Sequence, residues 1–150
     1  MKTYQRILVP ITSAGQGEML LQRAAEIAQG QRAQILVVRV LDTGSGFEPD
    51  GPAAALPGET AARMAPEARK RLDLQLARKN LGWAEARVVW GEPKNVLGEI
   101  VRDWAPDLVV ACAGQLPHGV ADGADVLTVA RRSLLGRLAE MFLHPAPRHA

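Results

Sequence analysis

The chain has 150 residues, 47% of them hydrophobic, and its 18 basic and 16 acidic side chains leave a formal charge of +2. That length suits one globular domain burying roughly 70% of the surface its unfolded form exposes, and charge so evenly mixed argues against nucleic acid as a partner. The lone Cys112 precludes an internal disulfide, no apolar run approaches the ~20 residues that span a bilayer, and Met1-Lys2-Thr3 leads into a strand-like run without a signal-type core, so the expectation is a cytoplasmic protein.

Arg6 to Ile11 (Arg-Ile-Leu-Val-Pro-Ile) predicts a first buried strand, with Pro10 near its end, where a missing donor costs least. Thr12, Ser13, Gly15 and Gly17 turn the chain into a helix from about Glu18 to Gln29. Its face of Leu21, Ala24, Ala25, Ile27 and Ala28 is small enough to lie close on a sheet. Ala33 to Leu41 predicts a second strand, ending at Asp42. Residues 43–58 are crowded with Gly and Pro and carry no period, which predicts a mobile loop longer than the usual connection of about 2–6 residues. A helix in two pieces follows, Glu59 to Ala65 and then Pro66 to about Leu81, with Gly82 placed to cap it.

Residues 86–114 hold a complete strand, helix, strand unit. Val88 to Trp90 is a short β-branched and aromatic run, Gly91 punctuates it, and Pro93 sits where a helix begins because its fixed φ suits a first turn. Val96, Leu97, Ile100, Val101 and Trp104 mark one helical face. Pro106 stops that helix, and Leu108-Val109-Val110 is continuously apolar, as a strand buried on both faces requires. Beyond it, Val126, Leu127, Ala130, Leu134, Leu138, Met141 and Phe142 follow helical spacing and predict one helix from about Asp122 to Leu143. Val126-Leu127-Thr128-Val129 alone also fits a short strand, and periodicity does not arbitrate for so short a run. Residues 144–150, with two prolines, are expected to fray.

This alternation is that of a doubly wound α/β fold with a parallel sheet. Arg-Ile-Leu-Val-Pro-Ile, Gln-Ile-Leu-Val-Val-Arg-Val-Leu-Asp, Gly91-Glu-Pro with its helix, Asp107-Leu-Val-Val-Ala-Cys-Ala-Gly114 and the segment from Leu134 to Pro147 together resemble the universal stress proteins, over most of the chain from Gln5 to Pro147. The resemblance implies a parallel sheet of order 3-2-1-4-5 and a homodimer, with one branch of the family binding ATP and another not. Family members continue past the equivalent of Ala146-Pro147 into a final apolar strand. Here Arg148, His149 and Ala150 follow instead, so the expected order is 3-2-1-4 with the fifth strand missing or replaced. The edge at Leu108 to Ala111 then needs a cover, either Val126 to Val129 or a partner chain.

The ATP-binding branch carries Gly-x2-Gly-x9-Gly-(Ser/Thr) after the fourth strand, where glycines let backbone amides reach the phosphates. Gly114 fits the first position, but Pro117, which has no amide hydrogen, stands at the second. Gly119, Gly123 and Gly136 follow at other spacings, and Arg137 stands where the hydroxyl belongs. The Asp that ends the first strand in ATP-binding members is replaced by Thr12, which lacks the carboxylate's charge. The resemblance therefore points to the branch without an intact site. If a nucleotide binds, the residues implied are Pro10, Ile11, Thr12, Val40, Gly114, Gly136 and Arg137, with Arg131 and Arg132 as further phosphate partners.

Other chemistries fare worse. Gly15-Gln-Gly17 begins a dinucleotide fingerprint, but Leu20 occupies its third glycine position. Cys112 ends a buried strand, His118, His144 and His149 are scattered, and Asp103 and Asp107 bracket a helix end as capping and turn residues. Of Trp83, Trp90 and Trp104, two are expected at the core or its rim, with Trp90 the candidate for an exposed interface. The expected protein is a non-enzymatic stress-response or regulatory module without cofactor or metal, acting through homodimerisation and contacts with a protein partner. The alternative is an ATP-binding switch with a rebuilt phosphate loop.

Overall fold

A computed structural model describes residues 2–42 and 57–130. Five strands, β1 (Arg6–Ile11), β2 (Gln34–Leu41), β3 (Glu85–Trp90), β4 (Leu108–Cys112) and β5 (Asp125–Val129), form one sheet of order β3-β2-β1-β4-β5 in which every pairing is parallel. Three helices, α1 (Gly17–Ala28), α2 (Pro57–Arg78) and α3 (Pro93–Trp104), make the crossovers. The chain moves outward from β1 through β2 to β3, then returns to the other side of β1 for β4.

Side-chain alternation along the strands divides the core in two. Ile7, Val9, Ile11, Ile35, Val37 and Val110 point to the face covered by α1 and α2, where Leu20, Leu21, Ala24, Leu72 and Leu76 meet them. Leu8, Leu36, Val38, Val40, Val109 and Ala111 point to the opposite face, under Leu97 and Ile100 of α3. Continuous apolar runs in β1, β2 and β4 are thus the signature of strands covered on both sides.

The fifth strand is a replacement, formed by the Val126 to Val129 segment that was one of the two candidate covers, which corrects only the expectation of a helix starting near Asp122. Asp125–Val129 pairs with all of β4, from Leu108↔Asp125 to Cys112↔Val129, and so covers the edge at Leu108 to Ala111. Residues 113–124 reach it without a helix, since Gly114, Pro117, Gly119 and Gly123 interrupt any helical run, and Gly119 and Gly123 turn at positive φ. Leu116, Val120, Ala121 and Ala124 nonetheless cover the α3 side of the sheet, as a crossover helix would.

Two helix details also differ from expectation. The helix expected in two pieces is one, α2, with Pro66 inside it. Pro66 and Ala62 are both exposed, so the carbonyl that loses its donor at Pro66 faces water. The turn closing α2 uses Asn80 rather than Gly82. Asn80 takes φ +58°, its N–H donates to Ala77 O, and Leu81 N–H donates to Leu76 O at 2.8 Å, while Leu81 and Leu76 share the core. This is a Schellman cap, and the apolar Leu81 after the left-handed residue seals it. Residues 57 and 58 of the expected 43–58 loop belong to α2. Residues 43–56, Arg131, Arg132, Gly136, Arg137, the expected last helix beyond residue 130 and the tail at 144–150 lie outside the described residues.

At the amino ends of the strands, Asp107 accepts the N–H groups of Gln5 and Arg6, each at 2.8 Å. The Arg6 guanidinium lies 4.3 Å from the centre of the Trp104 ring and donates to Trp104 O. Asp125 at the start of β5 accepts from Lys2 Nζ at 2.6 Å and Tyr4 Oη at 2.9 Å. Those two hydrogen bonds, Lys2 first, hold the Asp125 carboxyl below its usual range. A lowered carboxyl favours the fold above the ordinary value near ~3.9 and loses that contribution as pH falls through the lowered one. Carboxyl-detected NMR is expected to place the Asp125 midpoint below ~3.9 and to return it towards that value in Lys2→Ala; a midpoint indifferent to that substitution would refute the pairing.

Candidate functional site

The site is the crevice where β1 parts from β4, at the carboxyl ends of the strands, the place where open α/β sheets receive ligands. Its geometry starts from Pro10. The β1–β2 ladder continues to Ile11↔Arg39, whereas the β1–β4 ladder stops at Leu8↔Val109. In a parallel ladder the N–H and C=O of one residue point to the same neighbouring strand. Pro10 has no N–H to give β4, so the pairing ends there.

Gln115 fills the gap. Its side-chain Nε2 donates to Pro10 O at 2.7 Å, and its Oε1 accepts from the Cys112 N–H at 2.8 Å. One side-chain amide thus takes the position of the missing peptide link and ties the mouth of the crevice together. On the β1 side, Gln16, buried in a 3-10 turn at Ala14–Gln16, accepts from both the N–H (3.0 Å) and the hydroxyl (3.2 Å) of Thr12. The donors of Thr12 are therefore already used. Ser13 Oγ is different: it is buried without a hydrogen-bond partner among the described residues.

Of the residues expected to line a nucleotide, Pro10 and Ile11 are buried, Thr12 is half-buried and Gly114 is exposed in the turn after β4 at φ +74°. Val40 is fully buried beneath α3, on the opposite face of the sheet from Ile11. Hydrogen bonds tie Pro10 to the Cys112–Gln115 turn and Thr12 to Gln16. Neither Gln115 nor Gln16 is legible as a site residue, because a glutamine in a turn gains its meaning only from the strand register beside it.

A second concavity lies on the α1/α2 face, between α2 and the ends of β1 and β2. It measures about 150 Å³ and is bordered by Ile11, Leu41, Met64 and Leu72 together with Arg39, Glu67 and Arg71. Arg39 stands at a strand position that alternation directs towards the core. Its Nη1 donates to the backbone carbonyls of Val40 (2.8 Å) and Ile11 (3.3 Å). Burial, and after it the charge of Arg71, lower its pKa. The signal for this site was a charge inside the run Ile-Leu-Val-Val-Arg-Val-Leu.

Elsewhere, Asp107 follows the end of α3, but its carboxylate binds the backbone amides of Gln5 and Arg6 at the start of β1, and Cys112 is buried. Only Trp104 of the three tryptophans packs onto the core. Trp90, the candidate for exposure, is 48% exposed at the end of the edge strand β3, whereas Trp83, in the turn before that strand, is 59% exposed, which corrects the expectation of two tryptophans at the core or rim. Among the described residues no three His, Cys, Asp or Glu side chains group as metal ligands would, and no helix is long and apolar enough to cross a membrane.

The model of the universal stress protein family matches residues 3–144. A comparison with curated protein sequences finds no match. Among solved structures, universal stress protein UspA from Lactobacillus plantarum is 22% identical with a TM-score of 0.58, over 86% of this chain and 99% of that one. A protein of the same family from Burkholderia pseudomallei is 21% identical with a TM-score of 0.57, over 84% and 96%. The universal stress protein from Archaeoglobus fulgidus in complex with dAMP is 19% identical with a TM-score of 0.52, over 86% and 98%. At these identities the likeness is one of fold.

If Gln115 closes the ladder, Gln115→Ala strands Pro10 O and the Cys112 N–H. Urea denaturation is expected to show a loss of about 1–2 kcal/mol, and an unchanged midpoint would show that water serves the two groups equally well.

Proposed function

The chain belongs to the universal stress protein family, and we propose that it works as a non-enzymatic regulatory module, through self-association and contacts with a protein partner, its nucleotide crevice closed by its own side chains. The observation that carries this reading is the Gln115 amide bound between Pro10 O and the Cys112 N–H. A ligand seated between β1 and β4 would have to displace that amide and compete with Gln16 for the donors of Thr12. Pro117 adds to the case, because it removes an amide from the turn where the ATP-binding branch places its second glycine. The exposed Trp83 and Trp90 beside β3 and the exposed Val126 on β5 offer contact surface at both sheet edges. A lone cysteine and a chain without a metal-ligand motif suit work in the cytoplasm without a cofactor.

Ser13 favours a second reading, a nucleotide-binding switch. Its orphaned hydroxyl sits in the β1–α1 turn and would accept or donate one hydrogen bond to a bound molecule, and the Archaeoglobus fulgidus relative is in complex with dAMP. Thermal unfolding with ATP and Mg²⁺, and separately with dAMP, decides between the two. A ligand at 100 times its dissociation constant adds about 2.7 kcal/mol, so binding shifts the transition visibly. The expected result is no shift with millimolar nucleotide and a dimer by sedimentation equilibrium. A nucleotide-dependent shift in the wild type, larger still in Gln115→Ala, would establish the switch instead.

A further inference from the structure

The geometry points to a second ligand site, independent of the β1–β4 crevice: the Arg39 concavity binds a small monocarboxylate with an apolar tail. Three features combine. Its walls include Ile11, Leu41, Met64 and Leu72, and its volume of about 150 Å³ accommodates an apolar group of roughly six carbons. Arg39, half-buried at a core-facing strand position, spends only Nη1 on backbone carbonyls, so most of its donor fork lacks a described acceptor. Arg71 borders the same space and raises the cost of keeping Arg39 charged, while neither guanidinium has a carboxylate in ion-pair contact among the described residues.

Two cations facing one small space are relieved by an anion, and a planar carboxylate matches the guanidinium fork. Glu67 on the border leaves the three charged groups with a net charge of +1, which favours a monoanion over a dianion. The apolar walls select further, because a phosphate would lose its hydration against leucine and methionine and gain nothing in exchange, whereas an aliphatic tail gains by burial. Arg39 would hold the head group and Leu41, Met64 and Leu72 the chain.

The test titrates hexanoate into the full chain by calorimetry and by saturation-transfer NMR. Expected are saturable binding in the millimolar range or tighter, no binding of 1-hexanol and no competition by inorganic phosphate. Arg39→Leu, an aliphatic residue at a core-facing position, is expected to fold and to bind at least about tenfold more weakly. Arg71→Ala, on the exposed surface of α2, gives the same reading without touching the core and is expected to weaken binding severalfold. No saturable binding by the wild type, affinity unchanged in both variants, or phosphate competing as well as hexanoate would each overturn the assignment. Nucleotide binding in the crevice, tested separately, neither supports nor opposes it.

Discussion

A proline in the central strand of a parallel sheet governs how the carboxyl ends of the strands are arranged in this molecule. Pro10 withdraws one donor from the side of β1 that faces β4, and pairing stops two residues earlier, at Leu8↔Val109. The strands therefore diverge where the chain reverses its direction of travel across the sheet, and a crevice opens for reasons of hydrogen bonding alone. Whatever sits in that crevice must satisfy the backbone groups that the divergence leaves unpaired, Pro10 O and the Cys112 N–H. Gln115 does so from within the chain, with the donor and acceptor of a primary amide standing in for the two halves of a backbone link. The same economy appears at Gln16, which answers both donors of Thr12 with one oxygen.

The rest of the fold follows from faces. Strands covered on both sides by helices must be apolar at every position, and β1, β2 and β4 nearly are. The exception inside β2, Arg39, is informative for that reason, Gln34 standing exposed at the strand's first position. Its stem follows the apolar surface while its head opens on the concavity under α2, bonded to carbonyls that α/β sheets leave free at their carboxyl ends. β3 and β5 are edge strands, each half-exposed, and they carry the large apolar side chains Trp90 and Val126 that remain in contact with solvent.

How much of this was legible in the sequence depended on how local the determinant was. The β1, β2 and β4 strands and α3 announce themselves through unbroken apolar runs, Pro93 at a helix start and Pro106 after its end, all readable within a few residues. β5 was ambiguous because five residues of mixed polarity fit either period, and it was decided by the open edge of β4, a tertiary partner invisible to any window. The α2 cap went to Asn80 over Gly82 because Leu81, one residue further, had a core to enter. Glycine's conformational freedom is a preference, and a buried leucine outweighs it. The Gln115 bridge was legible only in part: the loss of an amide at Pro117 shows in the sequence, but the use of Gln115 as a replacement for backbone requires knowing that Pro10 O and the Cys112 N–H lie on either side of it.

The anchoring of β5 has a consequence for the order in which the molecule assembles. Lys2 and Tyr4 reach Asp125 across 123 and 121 positions of chain, so the staple on the outermost strand closes a loop that spans most of the sequence. Contacts of such span carry the greatest entropy of closure and give only solvent-exposed hydrogen bonds in return. The inner strands β1, β2 and β4 can zip together without it, and the same outer strand is the natural first place for the sheet to breathe, peeling back while the interior stays shut.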